Sequence, residues 1–202
     1  MTISAIMPTR GRPAFAARAL VCFLSQTYPD KELVIVDDAD APSFPTPPTG
    51  EGILYHRLMR RMTIGAKRNL ACARSNGDVI CHWDDDDFSL PGRMADQIAR
   101  LEQARVLVTG YHSMLFCDES GRSWMYRGDQ HYALGTSLMY AREFWRANPF
   151  PDENEGEDNA FVRRAVRIAT ADAGKLMVAA IHPGNTSNKL EHIEKACWEA
   201  CA

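Results

Sequence analysis

Over the first half of the chain, apolar residues fall in short continuous runs separated by stretches of helical spacing. Residues 3–7 form one such run, stopped by Pro8. Pro13 then opens a pattern in which Phe15, Ala19, Leu20, Phe23 and Leu24 recur at helical intervals. A second run over 32–36 ends in Asp37-Asp38, and a weaker third covers 53–57. Between these two, residues 41–52 carry Pro42, Pro45, Pro47 and Pro48, which predicts an irregular loop. Helical spacing returns over 64–75, with Gly65 at its mouth and Asn76-Gly77 as its stop. Residues 78–83 predict the next strand, the run Asp84-Asp85-Asp86-Asp87 follows, and Pro91 opens a helix to about residue 104. Strands and helices alternating at this length predict a largely parallel sheet covered by helices on both faces. Ligands of such sheets sit beyond the carboxyl ends of the strands, where Asp37-Asp38 and the four aspartates both fall.

From residue 105 the alternation breaks down. Residues 106–109, 113–117, 123–126 and 136–140 predict strands of a smaller mixed sheet, with Asp118-Glu119-Ser120-Gly121 as a hairpin turn. A helix over 157–168, a strand over 177–181 and an amphipathic helix over 188–201 complete the expected elements. The expectation is an α/β fold in one domain, 1–202, with a nucleotide-binding half over about 1–104 and an acceptor-shaping half over about 105–202.

Composition narrows the classes. Hydrophobic residues make up 46% of 202 residues and charged residues 24%, the balance of a globular protein with one well-filled core. A formal charge of -3 gives no global positive field, so neither nucleic acid nor an anionic membrane surface is an expected partner. Six cysteines occur without a C-x-x-C pair and mostly within apolar patterns, as in a reduced, cytoplasmic protein. No signal peptide and no transmembrane segment is expected, because no stretch reaches the roughly 18 apolar residues that span a bilayer.

Four adjacent carboxylates repel one another and call for positive charge among them. Oxygen ligands alone suit Mg2+ or Mn2+, with substrate phosphates and water completing the shell. A solvated acidic turn before the Pro91 helix accounts for the same residues.

The surrounding motifs bear on that choice. Pro8-Thr9-Arg10-Gly11-Arg12-Pro13 follows the first strand, and Val36-Asp37-Asp38 closes the second. Ile64-Gly65-Ala66-Lys67-Arg68-Asn69 opens the next helix, and His82-Trp83 precedes the aspartates. In this order and spacing the chain resembles family 2 glycosyltransferases of the GT-A fold, a Rossmann-like, mostly parallel sheet flanked by helices. The resemblance covers residues 1–100 and, later, two shorter motifs. It implies an inverting transfer from a nucleoside diphosphate sugar, a UDP-sugar favoured, to the hydroxyl of a carbohydrate, lipid-linked or protein acceptor.

The resemblance also implies site roles. Asp38 would accept the N3–H of a uracil-like base, with backbone at Pro8, Thr9 and Arg10 lining the same pocket and Asp37 serving structurally. Gly65 would let the nucleoside approach closely, and Lys67 and Arg68 would contact base, ribose or diphosphate. In the D-x-D motif, Asp84 lies near ribose and Asp86 binds the metal, with Asp85 and Asp87 in support. Asp158 in Glu155-Gly156-Glu157-Asp158 would be the general base, with Glu157 as the alternative; charge complementarity at a helix N-terminus explains the same pair. His182, in Ile181-His182-Pro183-Gly184-Asn185-Thr186-Ser187, is either a further metal or diphosphate contact or a structural residue. Gly135-Thr136-Ser137 would lie beneath the donor sugar, and Trp124, Tyr126, Trp145 and Phe150 are candidates for sugar stacking or for the core. Two other classes fit parts of the pattern: a sugar nucleotidyltransferase, for which Thr9-Arg10-Gly11-Arg12 is a poor phosphate loop, and a non-catalytic nucleotide- or carbohydrate-binding module.

Overall fold

The computed structural model describes residues 1–186 and 197–201. Strands β1 (Ile3–Thr9), β2 (Lys31–Asp37), β3 (Ile53–Arg57) and β4 (Val79–His82) are parallel, in the order β4-β1-β2-β3. Helices α1 (Pro13–Leu24), α2 (Ile64–Arg74) and α3 (Arg93–Ala104) connect or follow them. Strand alternation splits the apolar runs between two faces. Ile3, Ala5, Met7, Leu33 and Ile35 pack with Ala16, Ala19, Phe23, Met94, Ile98 and Leu101 of α1 and α3. Ile6, Val34, Val36 and Ile80 pack on the other face against Ala71 and Cys72 of α2. Burial on both faces is why these strands read as unbroken apolar runs.

Pro8 does not stop β1. It stays in register with Val36 of β2, and among the described residues β4 pairs with β1 only as far as Ile6, opposite His82. Past Ile6 that edge of β1 needs no ladder donor, so a proline is tolerated there. The Pro91 helix begins two residues later than expected, at Arg93.

The second half departs further from expectation. After the two-residue β5 (Phe88–Ser89), the strands expected over 106–109 and 113–117 are one long strand, β6 (Val108–Asp118). A register shift between Tyr111 and Ser113 interrupts its pairing, which is why the sequence reads as broken there. β6 forms a hairpin with β7 (Ser123–Arg127), turned by Asp118, whose Oδ1 accepts from Ser120 N at 3.0 Å and Arg122 N at 2.9 Å. Over 136–140 the chain makes a 3-10 turn (Gly135–Ser137) before β8 (Met139–Ala141), which lies antiparallel between β4 and β6.

Two short helices follow, α4 (Arg142–Ala147) and α5 (Glu157–Val162). The expected helix over 157–168 thus ends at Val162. Ala165 and Ile168 still pack against the same apolar cluster as Phe161 and Val162, from irregular chain beyond the helix. β9 (Ala169–Asp172) and β10 (Met177–Ile181) both pair parallel with β6. The expected tail helix is corrected at its end: β11 (Trp198–Cys201) is a strand antiparallel to β7, and 188–196 lie outside the described residues. No helix among the described residues is long and apolar enough to cross a membrane.

Candidate active site

β4 delivers the aspartate run to the carboxyl edge of the parallel strands. Trp83 anchors its start, with its N–H on Ile6 O at 3.0 Å and its indole N–H on Ala19 O at 3.0 Å. From there the four carboxylates diverge. Asp87 turns inward and accepts from Thr136 Oγ1 and, at 2.9 Å, from Ala180 N, so it ties the 3-10 turn and β10 to the run. Asp85 is buried, with Thr9 Oγ1 at 2.7 Å and Arg12 Nη1 at 3.2 Å. Burial, followed by the neighbouring charge of Asp86, pushes its pKa up to about 6, and Arg12 opposes the shift. Asp86 Oδ2 gathers three N–H donors: His182 Nε2 at 2.9 Å, Arg12 Nη1 at 3.0 Å and Asn185 Nδ2 at 3.2 Å. Asp84 pairs with Arg68 Nη2 at 3.1 Å.

Arg68 links this run to the second acidic cluster. It is buried, and its Nε donates to Glu157 Oε1 at 3.2 Å. Burial works against its charge, yet Asp84 and Glu157 raise its pKa above the ordinary value. Glu157 itself is pushed up by burial, with Arg68 opposing. Asp158 points instead toward the 3-10 turn: a Cβ on Gly135 would overlap its carboxylate, so only glycine leaves room for it there. Tyr132 donates its hydroxyl to Asn159, next to Asp158.

Several expected residues sit elsewhere than their sequence position suggested. Asp38 is fully engaged beneath the surface. Its Oδ1 pairs with Lys67 Nζ at 2.9 Å, its Oδ2 accepts from Met62 N at 2.8 Å, and its side chain has 0% exposure. It holds Lys67, which lines the cleft, and Asp38 itself lies behind that lining. Asp37 is structural, accepting from Ala39 N at 3.1 Å, Ser43 N at 2.6 Å and the Tyr55 hydroxyl at 2.8 Å. Gly65 is corrected too. The space its missing Cβ leaves is taken by Pro151 O, so the glycine serves contact between α2 and the segment before α5, not approach of a ligand.

His82 is buried, with Nδ1 on Gly135 O at 2.7 Å and its ring edge-on to Tyr140. Burial, reinforced by Arg68, lowers its pKa well below the usual imidazole range and keeps it neutral. His182 has its tautomer set by its own loop. Gly184 N donates to Nδ1 at 3.1 Å, which leaves the proton on Nε2, facing Asp86.

Pro8, Thr9, Arg10, Lys67, Arg68, Asp84, Asp85, Asp86, Glu157 and Asp158 all border a single cleft of about 810 Å³. Asp38, Gly65 and His182 do not border it. Nor do any of the four stacking candidates. Phe150 lies in the core, Trp145 bonds Asn69 Oδ1 at 2.9 Å, and Trp124 and Tyr126 pack around β6 and β10. Phe116, Tyr132 and Trp198 take the lining positions instead, Trp198 reaching Phe116 at 4.7 Å between ring centroids. No local signal marks these rings, since strand pairing alone brings β11 there. Arg12 and Asn185 were also missed as individual residues, although both lie in motifs legible in the sequence.

The donor set fits an ion of the Mg2+ or Mn2+ kind. Asp86 presents an oxygen that draws three N–H groups, and two further carboxylates stand beside it. Among the described residues no group of three or more His, Cys, Asp and Glu converges to form a cage, as a structural zinc or calcium site would require. An ion that takes one or two protein carboxylates and fills its shell with phosphate and water is the kind such a site serves. His182 Nε2 stands 2.9 Å from the same Asp86 oxygen.

A parallel sheet with acidic and basic residues gathered past its strand ends, continued by a mixed sheet that closes the far side, defines the GT-A class of α/β protein. Crystal structures of S. aureus TarS share this fold. The complex with UDP-GlcNAc matches at TM-score 0.71 and 17% identity, over 92% of this chain and 60% of that one. The mannosyltransferase PcManGT from Pyrobaculum calidifontis, in complex with GDP-Man and Mn2+, matches at TM-score 0.65 and 14% identity, over 91% and 58%. At such identities the likeness establishes the fold. The glycosyl transferase family 2 profile matches residues 4–167, and the chain belongs to that family. Two relatives carry related names. EpsE of Bacillus subtilis (strain 168), named as a glycosyltransferase, is 30% identical over 127 residues, 59% of this chain and 45% of its own. WcaA of Escherichia coli (strain K12), named as a colanic acid biosynthesis glycosyl transferase, is 32% identical over 122 residues, 58% and 42%. The chain therefore spans under half the length of the curated relatives it matches.

Proposed function

We propose that this chain is a metal-dependent, inverting glycosyltransferase that moves a sugar from a nucleoside diphosphate to an acceptor hydroxyl. The observation that carries the proposal is that Asp86 and Asp158, 72 residues apart in the numbering, border one cleft together with Lys67 and Arg68. An acidic turn that merely caps a helix has no reason to share a cavity with a second carboxylate and two buried cations. The halves over about 1–104 and 105–202 serve as donor and acceptor sides of one domain.

In this mechanism Pro8, Thr9 and Arg10 line the nucleoside, Asp84 lies toward the ribose, and Lys67 and Arg68 face the diphosphate. Asp86 would hold the divalent ion, with diphosphate oxygens and water as its other ligands. Bound there, Mg2+ or Mn2+ would supply Lewis-acid stabilisation of charge on the leaving group. Asp158 takes the proton of the acceptor hydroxyl as its oxygen bonds to the anomeric carbon. The bond from that carbon to the diphosphate oxygen breaks with its electron pair on the diphosphate, and one displacement inverts the configuration. Glu157, buried against Arg68, orients that cation and is not the base. The aromatic rings of Tyr132 and Trp198 give the acceptor side a surface suited to a sugar face.

A UDP-sugar remains the favoured donor, since TarS is seen with UDP and with UDP-GlcNAc, although PcManGT is seen with GDP-Man. The six free cysteines agree with a cytoplasmic setting. A thermal-shift panel of nucleoside diphosphate sugars, with and without Mn2+, tests the proposal. A UDP-sugar should raise the Tm only when Mn2+ is present, and Asp86→Ala should abolish that rise. Stabilisation by no nucleotide, or stabilisation indifferent to metal and to the substitution, would sink it.

A further inference from the structure

Arg12 stands immediately before α1, half-buried, at the border of the cleft. Its Nη1 reaches Asp85 Oδ1 at 3.2 Å and Asp86 Oδ2 at 3.0 Å, and its Nη2 donates to Gly184 O. Among the described residues it is the one cation paired with Asp85. One guanidinium therefore sits between the two aspartates and ties the 182–186 loop to them.

We propose that Arg12 is a diphosphate-binding residue which, in the nucleotide-free chain, fills the cation position between Asp85 and Asp86 and gives it up when a divalent ion and donor arrive together. The diphosphate part rests on the proposed glycosyl transfer, whereas the competition for Asp86 does not.

Three physical points support it. A guanidinium and a divalent ion compete for one carboxylate oxygen, because at contact distance each repels the other. Two neighbouring, largely buried carboxylates are costly to leave without positive charge, so Arg12 leaves only when another cation replaces it. Once displaced, its planar fork matches phosphate oxygens bidentately, and Arg12 borders the same cleft as Lys67 and Arg68, where the proposed donor's diphosphate would lie.

The test titrates Mn2+ alone into the chain, following free Mn2+ by its paramagnetic resonance signal, and then UDP at saturating Mn2+ by calorimetry. Arg12→Gln should bind Mn2+ alone more tightly, by about fivefold, and UDP more weakly, by about tenfold, through loss of a charge-assisted pair. Arg12→Lys keeps the charge but loses the fork. It should leave Mn2+ affinity within about twofold and still weaken UDP, which keeps the test decisive if the glutamine variant does not fold. Weaker or unchanged Mn2+ binding in a folded Arg12→Gln would overturn the displacement, making Arg12 a fixed support of the acidic pair. UDP affinity unchanged in both variants would overturn the diphosphate role. If the unsubstituted chain binds no nucleoside diphosphate, glycosyl transfer fails as a reading, while the Mn2+ comparison still decides whether Arg12 competes for Asp86.

Discussion

Around Asp84, Asp85 and Asp86 each carboxylate has a cation within 3.2 Å, whereas Asp158, bordering the same cleft, forms no ion pair among the described residues. The two regions are joined by Arg68, which holds Asp84 with one nitrogen and Glu157 with another. One side is thus already paired with cations, and under the proposed displacement it exchanges Arg12 for the divalent ion. The other keeps Asp158 against Gly135, at the border of the cleft. Two acidic clusters that look alike in sequence thus differ in their surroundings: three carboxylates of one are paired with cations, and Asp158 of the other is not.

Removing the carboxylate that lacks a cation is the sharpest way to break this contrast. Asp158→Asn should lower transfer by about a thousandfold, the scale of general-base loss, while donor affinity stays unchanged. Activity near that of the unsubstituted chain would take Asp158 out of the mechanism. Its neighbour should behave in the opposite way. Glu157→Gln leaves the buried Arg68 short of one counter-charge and should destabilise the fold by about 3 kcal/mol, read by urea unfolding. If the two variants lose stability equally, the distinction between base and structural partner collapses.

Gly135→Ala tests how closely the proposed base is placed. The added Cβ overlaps the Asp158 carboxylate, so kcat should fall by about a hundredfold with donor KM unaltered. A fall in donor affinity instead would assign that turn to the donor side.

The smallest effect is a pH dependence on the cation-bound side. The Asp85 carboxyl, ordinarily near 3.8, is raised to about 6 in the folded chain, so the fold favours its protonated form. Its stabilising contribution is full below about 3.8 and is lost as pH rises through about 6. Compared with Asp85→Asn, the unsubstituted chain should lose on the order of 2 kcal/mol between pH 4 and pH 7.5. Parallel curves for the two chains would show that Asp85 titrates as an ordinary carboxylate.

The parallel strands were legible because their burial on both faces leaves continuous apolar runs, and the ends of α1 and α2 because Pro13 and Asn76-Gly77 act locally. Elements whose pattern is completed by distant partners were not. Residues 198–201 read as helix but pair with β7, some seventy residues earlier in the numbering. Residues 136–140 read as strand, yet Gly135–Ser137 is a 3-10 turn held by Ser137 Oγ on Tyr111 N at 2.8 Å. Within the site, the motifs located the carboxylates and cations but not their partners. Asp37 and Asp38 are adjacent strand-end aspartates, and only the packing shows that Asp37 holds the 39–43 loop while Asp38 holds Lys67.

The sequence by itself determined the parallel α/β half, the acidic run beyond its strands and the family, because strand alternation, chain reversal and motif spacing are properties of neighbouring residues. The tertiary structure alone decided that the run splits four ways, that Arg12 sits among its carboxylates, that Glu157 is bound to Arg68 while Asp158 is not, and that Trp198 reaches the cleft. A charge's role depends on which opposite charge comes within about 4 Å, and on how little water separates them. Chain folding sets both.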